Sequence, residues 1–259
     1  DVWAFVGANL HGLTPHDPWR ERFLPPPFLE EMMRRGWLGE KAGQGFYRRV
    51  GKGEARTIEA IDLRTFEYKP AAKVALPLLE EARAIGDLPA RLRTLVSAGS
   101  PAGTFLWKLL SDHMLYAAER VPEISDRIVE IDRAMRWGYA HTYGPFELWD
   151  ALGFESTARR MEAEGRTLPG SVTHMLSSGA PGFYRAADAA GAPRTEYFDL
   201  GAANYRELDQ RPGITVLKDW KRARGVAASN PGGSLIDLGD GVLCVEFHSK
   251  LNSIGEDTV

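Results

Sequence analysis

Residues 131–153, reading IDRAMRWGYAHTYGPFELWDALG, constrain the fold of this chain more than any other stretch. Their spacing predicts a helix, a glycine-broken turn and a second helix. Ser125 is placed to cap the first helix, with Asp126 in the first turn favouring the positive end of the helix dipole. Ile128, Ile131, Ala134 and Met135 recur at helical spacing, so one face is apolar. Gly138 is expected just past the helix end, where a left-handed backbone is easy without a Cβ. Gly144-Pro145 restarts the chain, because Pro at the first helical position loses no hydrogen bond. Phe146, Trp149 and Leu152 then share a face, and Gly153 supplies a stop.

The 259 residues are enough for one large domain or two modest ones. A formal net charge of −3 gives no electrostatic footprint for nucleic acid. No apolar run approaches the roughly 20 residues that span a bilayer. The single cysteine, Cys244, excludes an internal disulfide, suits a reducing cytoplasm and leaves a thiolate zinc site unsupported.

Helices are predicted over residues 1–10, with Val2, Phe5, Val6 and Leu10 near one face, and over 28–35, closed by Gly36. Residues 36–47 are glycine-dense with aromatics at both ends. A phosphate-cradling loop would need a preceding strand and a standard nucleotide spacing, and neither is present. The glycines are therefore expected to let the chain turn tightly while Trp37, Phe46 and Tyr47 pack. A short strand pair is expected around Leu63-Arg64-Thr65, and helices over 70–98. Residues 104–120 read as an amphipathic helix carrying His113, which reads as a packed or exposed bystander rather than a catalyst. Further helices are expected over 154–164 and up to Ser177. Residues 195–230 read as an irregular polar connector. Residues 234–238 and 242–247 read as two strands across Gly239-Asp240-Gly241. A lone hairpin is marginal in water, so it is expected to be disordered or to pair with a borrowed strand.

Two regions rhyme. Residues 27–48 run proline, short helix, glycine loop, Gly45-Phe46-Tyr47-Arg48; residues 169–185 run proline, short helix, glycine turn, Gly182-Phe183-Tyr184-Arg185. The second module is complete from about residue 101. The first lacks a counterpart of 104–153, which leads to the expectation that this half is encoded before Asp1 and that the chain is a fragment.

Asp132-x-Ala134-Met135 followed by Gly144-Pro145-Phe146-x-Leu148-x-Asp150 resembles a pattern in the helical domain of 3-hydroxyacyl-CoA dehydrogenases. Gly36-Trp37-Leu38-Gly39-x-Lys41-x-Gly43-x-Gly45-Phe46-Tyr47 is similar to the close of that domain. The resemblance implies a mainly α fold of tandem C-terminal dehydrogenase-like helical repeats, the first truncated, with a short C-terminal β-hairpin. It divides the chain into the end of a first repeat (1–56), a connector with helices (57–100), a complete second repeat (101–190), an irregular linker (191–232) and the first strands of a truncated enoyl-CoA hydratase-like domain (233–259).

The resemblance further implies a parent enzyme of fatty acid β-oxidation that oxidises a 3-hydroxyacyl-CoA with NAD, in the cytoplasm and as a homo-oligomer. NAD and the catalytic His and Glu would belong to an upstream nucleotide-binding domain, since no strand–Gly-x-Gly-x-x-Gly–helix unit occurs here. Where the family places an Asn early in the repeat, this chain has Trp107, which cannot accept a hydrogen bond. No catalytic residue or metal site is therefore expected in the chain. Lys41 and Lys250 are the candidates for a CoA phosphate. Asp132, Gly144, Pro145, Phe146, Glu147, Asp150, Gly43, Gly45, Phe46 and Tyr47 are expected to be structural, with Glu147 and Asp150 tying the Gly-Pro turn to its neighbours. The alternatives are a non-catalytic helical interaction module and a separate CoA-ester-binding module.

Overall fold

The computed structural model describes residues 2–51, 53, 56–72, 74–189, 192–209, 213–249 and 254–255. The chain forms two compact units, Asp1–Pro77 and Leu78–Val259. Helices dominate, and three small antiparallel sheets of three strands accompany them.

In the first unit, helix α1 (Val2–Leu13) and a 3-10 turn (Arg20–Phe23) lead to α2 (Pro27–Arg34). Pro27 opens α2, where its missing N–H costs nothing, and Gly36 closes it at φ 73°. A looped-out 3-10 turn (Glu40–Ala42) precedes strands β1 (Tyr47–Val50), β2 (Thr57–Ile61) and β3 (Tyr68–Pro70). The expected strand pair around Leu63-Arg64-Thr65 is β2 with β3, and these three residues form the turn between them. Asp62 Oδ1 accepts from Arg64 N and Thr65 N there, an aspartate turn that replaces ladder bonds.

The second unit begins with α3 (Pro77–Arg83), α4 (Leu88–Ser97) and α5 (Pro101–Glu119). Asp87 and Ser100 cap α4 and α5, each ahead of a Pro at the first helical turn. Then come α6 (Ile128–Tyr139), α7 (Pro145–Leu152), α8 (Phe154–Ala163) and α9 (Gly170–Ser177). The core gathers Trp107, Met114, Leu115, Phe146, Trp149, Phe154, Met161, Met175 and Phe183, all at most 4% exposed.

Several local expectations change. Helix α6 runs through Gly138 to Tyr139, and Ala140 takes the left-handed position at φ 56°. Arg127, not Ser125, stands at its N-cap; the Ser125 hydroxyl instead accepts from Arg127 N. The buried face of α6 is Ile128, Val129 and Asp132, and Ala134 is exposed. Phe46 and Tyr47 are exposed rather than packed, and so are Val2, Phe5, Val6 and Leu10 of α1.

The described residues within 192–232 are not an irregular linker. They contain strands β5 (Ala192–Asp199) and β6 (Asn204–Glu207), helix α10 (Leu217–Arg224) and strand β7 (Ala228–Ser229). The signal is hidden because polar residues of these strands pair across the sheet, as Arg185 does with Glu196 and Arg194 with Glu207. Strand β4 (Tyr184–Ala189) pairs with β5, and β5 with β6. The expected hairpin is β8 (Gly233–Asp237) with β9 (Leu243–Phe247), and β7 of the same chain adds a third strand, so no borrowed strand is needed.

The internal repeat extends well beyond the residues that first suggested it. In the first unit Tyr47 faces Ala60 in the sheet register, and in the second Tyr184 faces Tyr197. Arg48 Nε donates to Glu59 at 2.6 Å, and Arg185 Nε to Glu196 at 2.6 Å. The Tyr68 hydroxyl donates to Gly45 O at 2.5 Å, and the Tyr205 hydroxyl to Gly182 O at 2.5 Å. Asp199 caps its turn through Gly201 N and Ala202 N as Asp62 does. Each module is thus a short helix, a glycine turn and a three-stranded meander held by the same Tyr, Arg and Glu.

Candidate functional site

The densest polar arrangement in the second unit lies where α6, α7 and β4 meet. Helix α7 starts at Gly144, which has no side chain to cap the exposed amides of the first turn. Asp132, from the middle of α6, takes that role. Its Oδ1 accepts from Phe146 N at 2.9 Å and its Oδ2 from Glu147 N at 3.2 Å. The Tyr184 hydroxyl donates to the same Oδ2 at 2.8 Å. Glycine is required at 144 by close approach, because a Cβ there would stand 2.3 Å from Asp132 Cα.

Asp150, at the other end of α7, repeats the device. Its two oxygens accept from Phe183 N at 2.7 Å and Tyr184 N at 2.8 Å. A Cβ on Gly182 would fall 2.6 Å from Asp150 Oδ1, so this glycine clears the way for the carboxylate. Burial pushes both aspartates up to about 7, against the pull of the amides that donate to them. Burial and the neighbouring Asp132 carboxyl hold the Tyr184 phenol well above its ordinary value.

Glu147 completes the turn from a more open position. Its Oε2 accepts from Gly144 N at 3.2 Å, while Oε1 takes Arg136 at 3.3 Å and Lys218 at 2.6 Å. Below these groups Phe183 packs against Phe146, Trp149 and Phe154 with ring centroids 4.9, 5.3 and 5.1 Å away. Each such pair is worth about 0.5–1.5 kcal/mol beyond the area it buries. Chemically this is a clamp: the carboxylates are consumed as acceptors, and no nucleophile or base is aimed at open space.

Gly43, Gly45, Phe46, Tyr47 and Lys41 lie in the first unit. Gly39 N donates to Gln44 O at 2.9 Å, and Gly43 N to Glu40 O at 3.0 Å, so the loop spends its amides on itself rather than presenting an anion cradle. Gly45 forms the neck of this loop, where a Cβ would meet Gly39 Cα at 2.7 Å. Lys41 is exposed beside the Glu40–Arg49 ion pair. Lys250 lies outside the described residues.

Trp107 is buried, and its indole N–H donates to both oxygens of Glu164 at 2.8 Å beneath the Arg160 guanidinium. His113 is half-buried on α5, with its ring 6.0 Å from that of His141; burial and then that neighbour lower its basicity. No cluster of three or more metal-ligating side chains occurs among the described residues, and none of the described helices is long and apolar enough to cross a membrane. Asp150 does tie α7 to a neighbouring element, but its partners at Phe183 and Tyr184, and the link from Tyr184 to Asp132, join residues too far apart in the chain to be read from spacing. The sequence does carry a signal for the module they close: the residues after Tyr47 and Tyr184 recur as Asp62-Leu63 and Tyr68, and as Asp199-Leu200 and Tyr205.

The whole chain is 39% identical, over 259 residues, to a protein of Bacillus subtilis named "Probable 3-hydroxyacyl-CoA dehydrogenase". Proteins of Rickettsia felis and Rickettsia prowazekii, each named "Putative fatty acid oxidation complex trifunctional enzyme", are 23% and 22% identical over 99% of the chain. The chain spans 31% of the length of each of these curated relatives. No family model matches the chain, and no solved structure matches it significantly. Asp132 and Asp150 are the acids on which the helical module of the second unit closes.

Proposed function

We propose that this chain is the tandem helical region of a longer NAD-dependent 3-hydroxyacyl-CoA dehydrogenase of cytoplasmic fatty acid β-oxidation. The observation that carries this reading is the 39% identity sustained across the whole chain to a dehydrogenase-named relative of which it spans only 31%. Its role is to cover the acyl-CoA site and build interfaces within a homo-oligomer, while NAD and the catalytic residues are supplied by a domain outside these residues. The acidic clamp and the aromatic cluster support a scaffolding role, since their polar groups are turned inward. Residues 233–259 open a hydratase-like domain in this reading, and Lys41 and Lys250 lie near a CoA phosphate.

The test is a comparison of the isolated chain with the intact enzyme in NADH-dependent reduction of acetoacetyl-CoA. The intact enzyme is expected to turn over and the isolated chain to give the no-enzyme rate. Turnover by the isolated chain, or none by the intact protein, overturns the proposal.

A further inference from the structure

Helix α10 packs against β4 and β5 of the helical module and against β8 of the C-terminal sheet. Four of its eight residues are basic. Its large apolar side chains are Leu217 and Trp220, both half-buried, and Asp219 is its one buried residue. A helix this short does not hold itself together in water, and little apolar surface is available to hold it in place. Charge does so instead. Toward the module, Lys218 Nζ donates to Glu147 Oε1 at 2.6 Å, and Arg222 donates to the Thr195 hydroxyl at 3.1 Å; that hydroxyl donates to Asp219. Lys218 and Arg222 lie one turn apart, as do Glu147 and Asp150 on α7, and the Arg222 charge acts on the Asp150 carboxyl. Toward the sheet, Lys221 pairs with Glu246 of β9. The Arg224 guanidinium lies over the β8–β9 turn, 3.1 Å from where a Cβ on Gly239 would stand. The sheet register puts Ser234, Ile236, Cys244 and Glu246 on one face. Ser234 and Ile236 are buried there, while Leu243 and Val245 on the opposite face are exposed. Because Glu246 reaches Lys221, the buried face is the one turned to α10.

We infer that α10 is an ionic strap, docked by charge rather than by apolar burial, that ties the C-terminal sheet to the acids of α7 and releases as a unit. Its ion pairs are partly exposed, so each is weak and open to screening by salt, and they act together because one short helix carries them all. The clamp of α6, α7 and β4 is held by buried acids and aromatic rings, and it stays closed when the strap lets go. Release uncovers the face of β8 and β9 that carries Ile236 and Cys244, and makes α10 the hinge between module and sheet. The inference rests on the contacts of α10 and is independent of the dehydrogenase reading.

Cys244, half-buried on that face and the one cysteine of the chain, is the reporter. The experiment follows its reaction with N-ethylmaleimide, an uncharged thiol reagent, in the 259-residue chain as sodium chloride is raised from about 0.01 to about 1 M, where the screening length falls from about 30 to about 3 Å. The rate is expected to rise about tenfold, the scale of a few partly exposed ion pairs lost together, while the Phe146 and Trp149 amides keep their slow hydrogen exchange. Lys221→Glu should give the fast rate already at low salt, and Lys221→Glu combined with Glu246→Lys should return it toward that of the unaltered chain. An added carboxylate near the thiol would by itself disfavour the thiolate and slow the reaction, so acceleration reports release. A rate indifferent to salt overturns the inference. So does a rise that comes only with faster exchange at Phe146 and Trp149, or a double variant that reacts as fast as Lys221→Glu.

Discussion

The Tyr184 hydroxyl donates to Asp132 Oδ2 at 2.8 Å across 52 residues of chain, and the same carboxylate caps helix α7. One side chain thereby fixes the angle between α6 and α7 and the entry of strand β4. Asp150 secures the same strand from the far end of α7.

Asp150→Ala leaves two amides at positions 183 and 184 without their acceptor. Unsatisfied buried donors cost about 1–3 kcal/mol each, so a loss of about 2–6 kcal/mol is expected in urea unfolding of the chain. Glu80→Ala, at an exposed pair with Arg83, should change stability by less than about 0.5 kcal/mol. Equal effects of the two substitutions would remove the clamp from the account.

Gly138 and Ala140 offer a paired test of where α6 ends. Gly138 lies within the helix with open space around its missing Cβ, so Gly138→Ala should stabilise by about 0.5–1 kcal/mol. Ala140 is left-handed, so Ala140→Gly should also stabilise, by up to about 1 kcal/mol. Were the helix to end at Gly138, the first substitution would destabilise instead.

Gly144→Ala and Gly182→Ala drive a methyl group into Asp132 and Asp150 respectively. Overpacking of this kind costs about 1–3 kcal/mol or more. For Gly182→Ala, pairing with Asp150→Ala should recover part of the loss, because the obstructing carboxyl is gone. Strict additivity in this double-mutant cycle would deny the contact.

Both aspartates have pKa values of about 7 in the folded chain against 3.8 as the ordinary value. The folded state therefore holds more protons than the unfolded state between these limits. The resulting stability is fully present below about pH 4 and is lost as pH rises through about 7, on the order of 4 kcal/mol per carboxyl. Urea midpoints should fall from pH 5 to pH 8, and the combined Asp132→Asn and Asp150→Asn variant should show a flatter profile. A wild-type midpoint that rises over this interval would contradict the assignment.

On the proposed function, Lys41→Ala in the longer protein should weaken acyl-CoA binding about two- to fivefold, the scale of one exposed charge pair. Unchanged affinity by calorimetric titration would end the phosphate role of this lysine.

Much of the helical order was legible in the chain itself. Pro27, Pro101 and Pro145 mark helix starts, and Gly36, Gly153 and Gly179 mark stops, because their effects on φ and on backbone hydrogen bonding are local. The Gly-Phe-Tyr-Arg recurrence at residues 45 and 182 was equally plain. Tertiary structure decided the rest. It carried α6 through Gly138 to a left-handed Ala140. It put Ala192–Asp199 and Asn204–Glu207 into a sheet through cross-strand pairs such as Arg185 with Glu196, which no local pattern announces. It also separated two like sequences: Phe183 is buried because α7 lies over it, and Phe46 is exposed in its own unit. Burial depends on what stands opposite a side chain, and that is decided by distant parts of the chain.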